Sequence, residues 1–384
     1  MLSRIINLLL SIPLWVLYFI SGLLPRKMDL RVYGSPGGRF SDNAMYAFID
    51  DHYKNKEVCW ISNRKSLVQD LIKNGYNSEY KWSLKGIITC LLASEYHFSS
   101  YVSDINVWTS KGAKRINYWH GCPFKKIEYD IDSGFLRKYY NPSGFQEYIS
   151  YVGASIRYPA IRLRPNKIYS PYPFFDKYLV SAFRISENEL IRKPLPRVSY
   201  AKGVLSDVGQ KYNVLFDNFP LRHLNKRMAL YAPTFRDGDS EWFNDSFFPS
   251  MQELQSLLQS LDILLIIKLH PNENFSEGYL SDNIFILDSG FDIHLLFPRI
   301  NFLITDYSSI SIDAAVLGIP VYLVWPDMDS YSSLSRDFYF DMNIFFGGRS
   351  HMCLVDLFTD IENKESSTLN VGPTILANIG EEEW

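Results

Sequence analysis

A chain of 384 residues is longer than one ordinary hydrophobic core organises, so two domains are expected, each with a sizeable core. With 47% apolar and 21% charged residues the composition excludes a disordered protein, and the 26 Phe and 26 Tyr supply amphipathic rings for cores and clefts. The net charge of −3 hides an asymmetry: residues 1–202 hold 29 of the 39 Lys and Arg but 16 of the 42 Asp and Glu, whereas the remainder holds 10 and 26. A basic front half is expected to face an anion such as phospholipid headgroups or a phosphate polymer, with solvated surface charge as the plain alternative. No zinc-finger spacing, RNA-binding aromatic motif or basic-zipper pattern accompanies the charge, so no nucleic-acid partner is expected. The four cysteines, Cys59, Cys90, Cys122 and Cys353, include no C-x-x-C pair, which argues against a zinc site or a disulfide framework and suits a reducing cytosol.

In chain order, Ile5 to Leu24 is an uncharged run interrupted by Pro13, about 30 Å long if helical. It has length enough to span a bilayer. It also suits the interface, with Trp15, Tyr18 and Phe19 buried and Arg4, Arg26, Lys27 and Arg31 on headgroups. A third reading is a buried first helix, against which Ser11 and Pro13 stand. Leu24 to Arg26 lacks the small residues of a signal-peptide cleavage site, and the Lys/Arg flank keeps the body on the cytoplasmic face of the cell membrane.

Short β-type runs follow at Glu57–Ser62, Tyr96–Tyr101 and Arg115–His120, separated by helix-length stretches. Residues 141–173, rich in Pro, Gly, Tyr and Arg, read as a long loop or insertion near a cleft, and the domain boundary is expected between Gly203 and Asn225. Beyond it, Met228–Phe235, Ile263–His270, Ile284–Leu287, Asn301–Thr305 and Pro320–Val324 are near-continuous apolar runs that suit strands buried on both faces. Gln252–Leu261 and Asp292–Arg299 have helical spacing, and Ala314–Leu317 ends at Gly318 as a helix should. The expected fold class is α/β and GT-B-like: two Rossmann-like doubly wound domains facing a cleft, with an N-terminal hydrophobic segment. The expected divisions are residues 1–25, 26–215 and 216–384, the last binding the donor.

Three motifs carry chemistry. In NFLITDYSSISIDAA a strand stops at Thr305 and a helix begins near Ser309; Thr305, Ser308, Ser309 and Ser311 offer more hydroxyls than one N-cap needs, so a diphosphate is expected there. His120, followed by Gly121 and Pro123, projects from a strand end where an imidazole can take a proton from an attacking hydroxyl. Lys125 and Lys126 beside it are candidates for an acceptor phosphate. His270, before Pro271, has the same placement and can stabilise phosphoryl oxygens, and Arg236 can clamp phosphate with its planar fork. Each has a plain structural alternative: a satisfied strand-end histidine for both His residues, and an ion pair with Asp237 or Asp239 for Arg236. Histidines 52, 97, 223, 294 and 351 have no comparable context. The Asp327/Asp329 pair lacks a third ligand, and no Walker-type or G-x-G-x-x-G loop occurs, so neither a metal nor a cofactor is expected.

The motifs SDNAMYAF (Ser41–Phe48), WHGCPFKK (Trp119–Lys126), YAPTFRD (Tyr231–Asp237), KLHP (Lys268–Pro271) and LITDYSSISIDAAVLGIPV (Leu303–Val321), in this order, resemble the CDP-glycerol glycerophosphotransferases of teichoic-acid-type polymer synthesis. The resemblance implies a GT-B fold and a phosphotransferase moving glycerol phosphate from CDP-glycerol, or a related CDP-alditol, to a hydroxyl of a polyprenyl-linked or polymer acceptor at the membrane, with release of CMP. By position it implies His120 and His270 as catalytic, and Arg236, Ser308, Ser309 and Asp313 at the donor phosphates and ribose. Cys122 and Phe235 stand where the family more often has Thr and Trp, and SYAKGVL (Ser199–Leu205) where it usually writes Gly-Tyr-Pro-Arg-Asn-Asp. Relatives that move ribitol or hexose phosphate share similar motifs, and a glycosyltransferase using a nucleoside-diphosphate sugar is the alternative outside the family.

Overall fold

The computed structural model describes residues 2–205, 226–234, 251–269, 278–288, 290–326, 337–363 and 366–380. Arg236, His270 and the Asp327/Asp329 pair lie outside the described residues, as does most of the expected boundary region. Contacts divide the chain into two units, one formed by Met1–His120 with Ile127–Arg197, the other by Gly121–Lys126 with Val198–Glu383.

The first unit opens with helix α1 (Leu2–Ser21) and then builds a seven-stranded sheet from β1 (Lys27–Gly34), β2 (Val58–Ser62), β3 (Ser78–Tyr80), β4 (Ala93–Phe98), β5 (Lys114–Asn117), β6 (Lys167–Tyr169) and β7 (Leu190–Ile191). The order is β3-β2-β1-β4-β5-β6-β7, and every pairing is parallel. Helices α2 (Asp42–Tyr53), α3 (Lys65–Lys73) and α4 (Leu84–Leu92) fill crossovers between strands, as parallel pairing requires. β2, VCWIS, is buried at every position, which is why it reads as an unbroken apolar run. On one face Val32, Ile61, Tyr96 and Phe98 share a core with Ile105 and Trp108. On the other, Phe48 of α2 meets Trp60 at 5.6 Å and Tyr33 at 5.6 Å between ring centroids.

The second unit holds six strands, β8 (Arg227–Ala232), β9 (Ile263–Ile267), β10 (Gly278–Ser281), β11 (Ile284–Ile286), β12 (Phe302–Thr305) and β13 (Val321–Leu323), in the order β10-β11-β9-β8-β12-β13. Only the β10–β11 pair is antiparallel among the described strands. The expected apolar runs are all strands, each within three residues of its expected bounds.

Three expectations need correcting. Residues 141–173 are not one loop: they contain a 13-residue helix, Phe145–Arg157, and β6. Gly144, Gly153 and Pro159 mask the helical spacing of Phe145, Tyr148, Ile149 and Val152. Asp292–Arg299 forms only a 3-10 turn over Ile293–Leu296, opened by Asp292, whose Oδ1 accepts from His294 N, and followed closely by Pro298, which has no N–H to continue a helix. Finally, no helix among the described residues is long and apolar enough to cross a membrane.

The N-terminal run instead docks one side of α1 on the first unit. Leu14, Trp15, Leu17 and Tyr18 pack on its core, with Trp15 edge-on to Trp108 at 5.6 Å. Three of the flanking cations have partners within the protein. Arg26 donates to the carbonyls of Cys90, Ala93, Ser21 and Thr109, Lys27 pairs with Glu57, and Arg31 lies between Asp51 and Glu95. The remaining side of α1 leaves Ile12, Val16, Phe19 and Ile20 exposed, and the touching helix Phe145–Arg157 exposes its own apolar row.

Candidate active site

In the first unit, His120 sits three residues past the end of β5 and is exposed. The chain reaches it through an unusual turn. Trp119 has φ +55°, a left-handed conformation that costs an ordinary side chain about 1–2 kcal/mol. Three side chains hold that conformation. Asn117 Oδ1 accepts from Trp119 N at 2.8 Å, Asn43 Nδ2 donates to Trp119 O at 2.9 Å, and Arg197 Nη1 donates to His120 O at 2.9 Å. Arg197 is only 4% exposed, and the same Nη1 reaches Asp42 Oδ1 at 3.2 Å. The Trp119 indole lies 4.3 Å from the imidazole and is itself wedged edge-on by Phe183 at 4.9 Å. His120 is therefore an exposed histidine on a rigid stem, a placement compatible with proton abstraction from an incoming hydroxyl.

Asn43 and Asp42 belong to the SDNAMYAF motif and act on the histidine turn from the start of α2. Arg197 was missed in the sequence. Its signal is the Pro196–Arg197 dipeptide, just upstream of the segment compared with Gly-Tyr-Pro-Arg-Asn-Asp.

The residues after His120 belong to the second unit. Lys125 bridges antiparallel to Phe338, Lys126 N donates to Asp337 O at 2.8 Å, and Phe124 packs against Phe340, Phe345 and Phe346. Lys126 Nζ stands 3.6 Å from Asp337 Oδ2, so its charge already faces a carboxylate.

In the second unit, the carboxyl ends of β8 and β12 are sewn together. Thr305 is fully buried and its Oγ1 donates to Ala232 O at 2.7 Å. Both oxygens of Asp306 accept from Thr234 N, at 3.0 and 2.9 Å, and Thr234 Oγ1 donates to the same carboxylate. This fixes the chain two residues before Arg236. After Asp306 the turn carries Ser308 and Ser309, both half-buried, into a seven-residue helix, Ile310–Val316. Ser309 makes no capping bond with its side chain, and Ser308 Oγ accepts only a long 3.4 Å bond from Ile310 N. Ser311 is turned inward onto Ser308 O at 2.8 Å.

Asp313 is buried beneath this turn. His294 Nε2 meets its Oδ2 at 3.1 Å, while His294 Nδ1 meets Asp292 Oδ1 at 3.1 Å. Through these two contacts His294 ties the 3-10 turn to the short helix that follows Ser308 and Ser309. Burial pushes the Cys59 and Cys90 thiols up, Cys90 to about 12, so neither is a thiolate nucleophile. Among the described residues no group of His, Cys, Asp and Glu could hold a metal ion.

Residues 16–370 match the family profile described as CDP-Glycerol:Poly(glycerophosphate) glycerophosphotransferase. The chain is 30% identical over 293 residues to a teichoic acid ribitol-phosphate primase of Bacillus spizizenii, covering 73% of this chain and 68% of that one. It is 25% identical over 358 residues to a teichoic acid glycerol-phosphate transferase of Staphylococcus aureus, covering 89% and 85% respectively. Among solved structures, the wall teichoic acid polymerase TagF superposes with a TM-score of 0.67 at 20% identity, covering 99% of this chain and 91% of that one, which shows a shared fold.

Proposed function

The chain belongs to the CDP-glycerol:poly(glycerophosphate) glycerophosphotransferase family and is a phosphotransferase; from that premise we propose that it transfers glycerol phosphate from CDP-glycerol to a hydroxyl of a phosphate-bearing, lipid-linked acceptor. His120 takes the proton of the acceptor hydroxyl as its oxygen attacks the β-phosphorus. The bond from that phosphorus to the bridging oxygen breaks, and CMP leaves with the electron pair. Ser308 and Ser309, with Arg236 and His270, hold the phosphates, since phosphoryl transfer asks mainly for positioning and charge stabilisation. Thr305 and Asp313 support that turn from within, Thr305 through Ala232 and Asp313 through His294. The observation that carries this reading is the exposed His120 on a turn clamped by Asn43 and Arg197, within a sequence matched by the family over nearly its whole length.

A second reading, transfer of ribitol phosphate from CDP-ribitol, is favoured by the 30% identity to a ribitol-phosphate primase. One experiment tests both. The protein is incubated with CDP-glycerol, CDP-ribitol and UDP-sugars beside a lipid-linked acceptor, and the released nucleotide is identified. CMP from CDP-glycerol is expected; CMP from CDP-ribitol alone would exchange the first reading for the second, and a nucleoside diphosphate from a UDP-sugar would overturn both.

The place of action follows from the same reading. The apolar faces of α1 and of helix Phe145–Arg157 suit the interface of an anionic membrane on its cytoplasmic side. Sedimentation with anionic vesicles tests this, and protein that stays in the supernatant at both low and high salt would remove the membrane role.

A further inference from the structure

Two loops on the carboxyl edge of the seven-stranded sheet bring together cations that the transfer chemistry does not use. The loop after β1 runs Ser35-Pro36-Gly37-Gly38-Arg39, and Gly37 and Gly38 both take positive φ, +66° and +65°. Glycine is the residue that adopts this backbone without strain. The loop after β2 brings Arg64 against it, and Arg64 Nε donates to Gly37 O at 2.9 Å. That bond fixes the guanidinium and leaves its outer nitrogens to project.

A Cβ on Gly37 would lie 3.8 Å from Arg64 Nη2 and 3.9 Å from Arg39 Nε, so the two cations flank the bare face of one glycine. They stand within about 8 Å of each other, where like charges repel. Nothing acidic offsets them: among the described residues neither Arg39 nor Arg64 has a carboxylate partner, Asp42 being taken by Arg197 and Glu79 by Lys85. Asp104, whose carbonyl packs against Gly34 at the foot of the loop, is held protonated by burial, which pushes its carboxyl up to about 8. Two arginines converging on a space that no side chain fills match the planar, two-sided recognition of a phosphate, with charge-assisted bonds of about 2.8 Å from each side.

The position suits the acceptor. His120 lies beyond the end of β5, and the sheet order sets β4, β1 and β2 successively away from it. At about 4.8 Å per strand, the loop after β1 is roughly 10 Å from the β5 edge and that after β2 roughly 14 Å. We propose that Arg39 and Arg64, which both border Gly37, form a phosphodiester subsite that holds an inner phosphate of the acceptor chain while its terminal hydroxyl meets His120. This rests on the reading of the acceptor as phosphate-bearing. It also moves acceptor phosphate recognition away from Lys125 and Lys126.

The test is binding, which does not depend on turnover. Wild type, Arg39→Gln and the Arg39→Gln/Arg64→Gln pair are titrated with a soluble oligomer of phosphodiester-linked glycerol units, with phosphatidylglycerol vesicles and with CDP-glycerol. Arg39→Gln removes no hydrogen bond of the loop, so it separates lost charge from a distorted backbone. Oligomer affinity is expected to fall about tenfold for the single variant and further for the pair, with a flatter salt dependence, while vesicle and CDP-glycerol binding stay unchanged. Oligomer affinity equal to wild type overturns the subsite, and a loss confined to vesicles overturns it by assigning the arginines to lipid headgroups. Failure of CDP-glycerol to bind wild type would count against the proposed function and leave the oligomer result to decide the subsite.

Discussion

Replacing Arg197 by methionine separates holding the histidine turn from holding the fold. The substitution keeps much of the buried side-chain volume but deletes the 2.9 Å bond to His120 O and the 3.2 Å contact with Asp42. A hydrogen bond from a charged donor contributes about 1.5–3 kcal/mol, so a stability loss of about 2–3 kcal/mol is expected. The larger effect should fall on the rate. Trp119 is held at φ +55° against a cost of about 1–2 kcal/mol, comparable to the restraint that is lost, so the turn is free to relax. A displacement of about 1 Å in a catalytic group costs about 10²-fold, which sets the expected fall in kcat. CDP-glycerol affinity should stay within a few-fold, since the serines proposed to hold it belong to the other unit. Arg197→Lys restores a cation but not the fork and should fall between the two. CMP release in the steady state gives kcat and KM, calorimetric titration gives the donor affinity, and a melting curve gives stability. A folded Arg197→Met protein that is destabilised yet turns over at the wild-type kcat would refute the positioning role.

Two further outcomes follow from the same geometry. Replacing Ser308 and Ser309 together by alanine should weaken CDP-glycerol binding about tenfold or more while costing less than about 1 kcal/mol of stability, because neither hydroxyl makes a strong cap; a large fall in melting temperature with unchanged calorimetric affinity would make them caps only. Asp104→Asn should leave stability nearly unchanged near about pH 4 and raise it by up to about 5 kcal/mol near about pH 8: the folded carboxyl is raised by burial to about 8, so its contribution is complete below the unfolded value and is lost as pH rises, and denaturant midpoints that run parallel across this range would show that Asp104 ionises freely.

The strands of the second unit were legible because burial on both faces leaves a continuous apolar run, as in ILLII of β9, which is wholly buried. The histidine and serine turns were legible because each follows such a run. β1 was harder to read. Arg31 and Asp29 interrupt it, yet Arg31 fits within the sheet because Asp51 and Glu95 arrive from α2 and β4, partners that only the folded topology provides. Residue type could not separate the hydroxyls of the LITDYSS turn. Thr305 and Ser311 face inward onto Ala232 and Ser308 carbonyls, whereas Ser308 and Ser309 remain half-exposed. Arg197 was hidden for a similar reason, since its partners His120 and Asp42 lie 77 and 155 residues away.

The histidines show how partners sort structural from chemical roles. A general base must gain and lose a proton within each turnover, so an imidazole bound tightly in one protonation state is unsuited to the task. His294 is buried with both ring nitrogens engaged, one by Asp292 and the other by Asp313. His97 is buried between Glu95 and Tyr118 and stacked on Tyr33 at 4.6 Å, where no substrate reaches it. His351 Nε2 is held by Asp360 at 2.9 Å. At His120, Arg197 holds the main-chain carbonyl, and the exposed residue sets its imidazole 4.3 Å from the Trp119 indole. A histidine whose main chain is fixed while the residue stays exposed is placed accurately and remains within reach of a substrate, which suits the role of base proposed for His120.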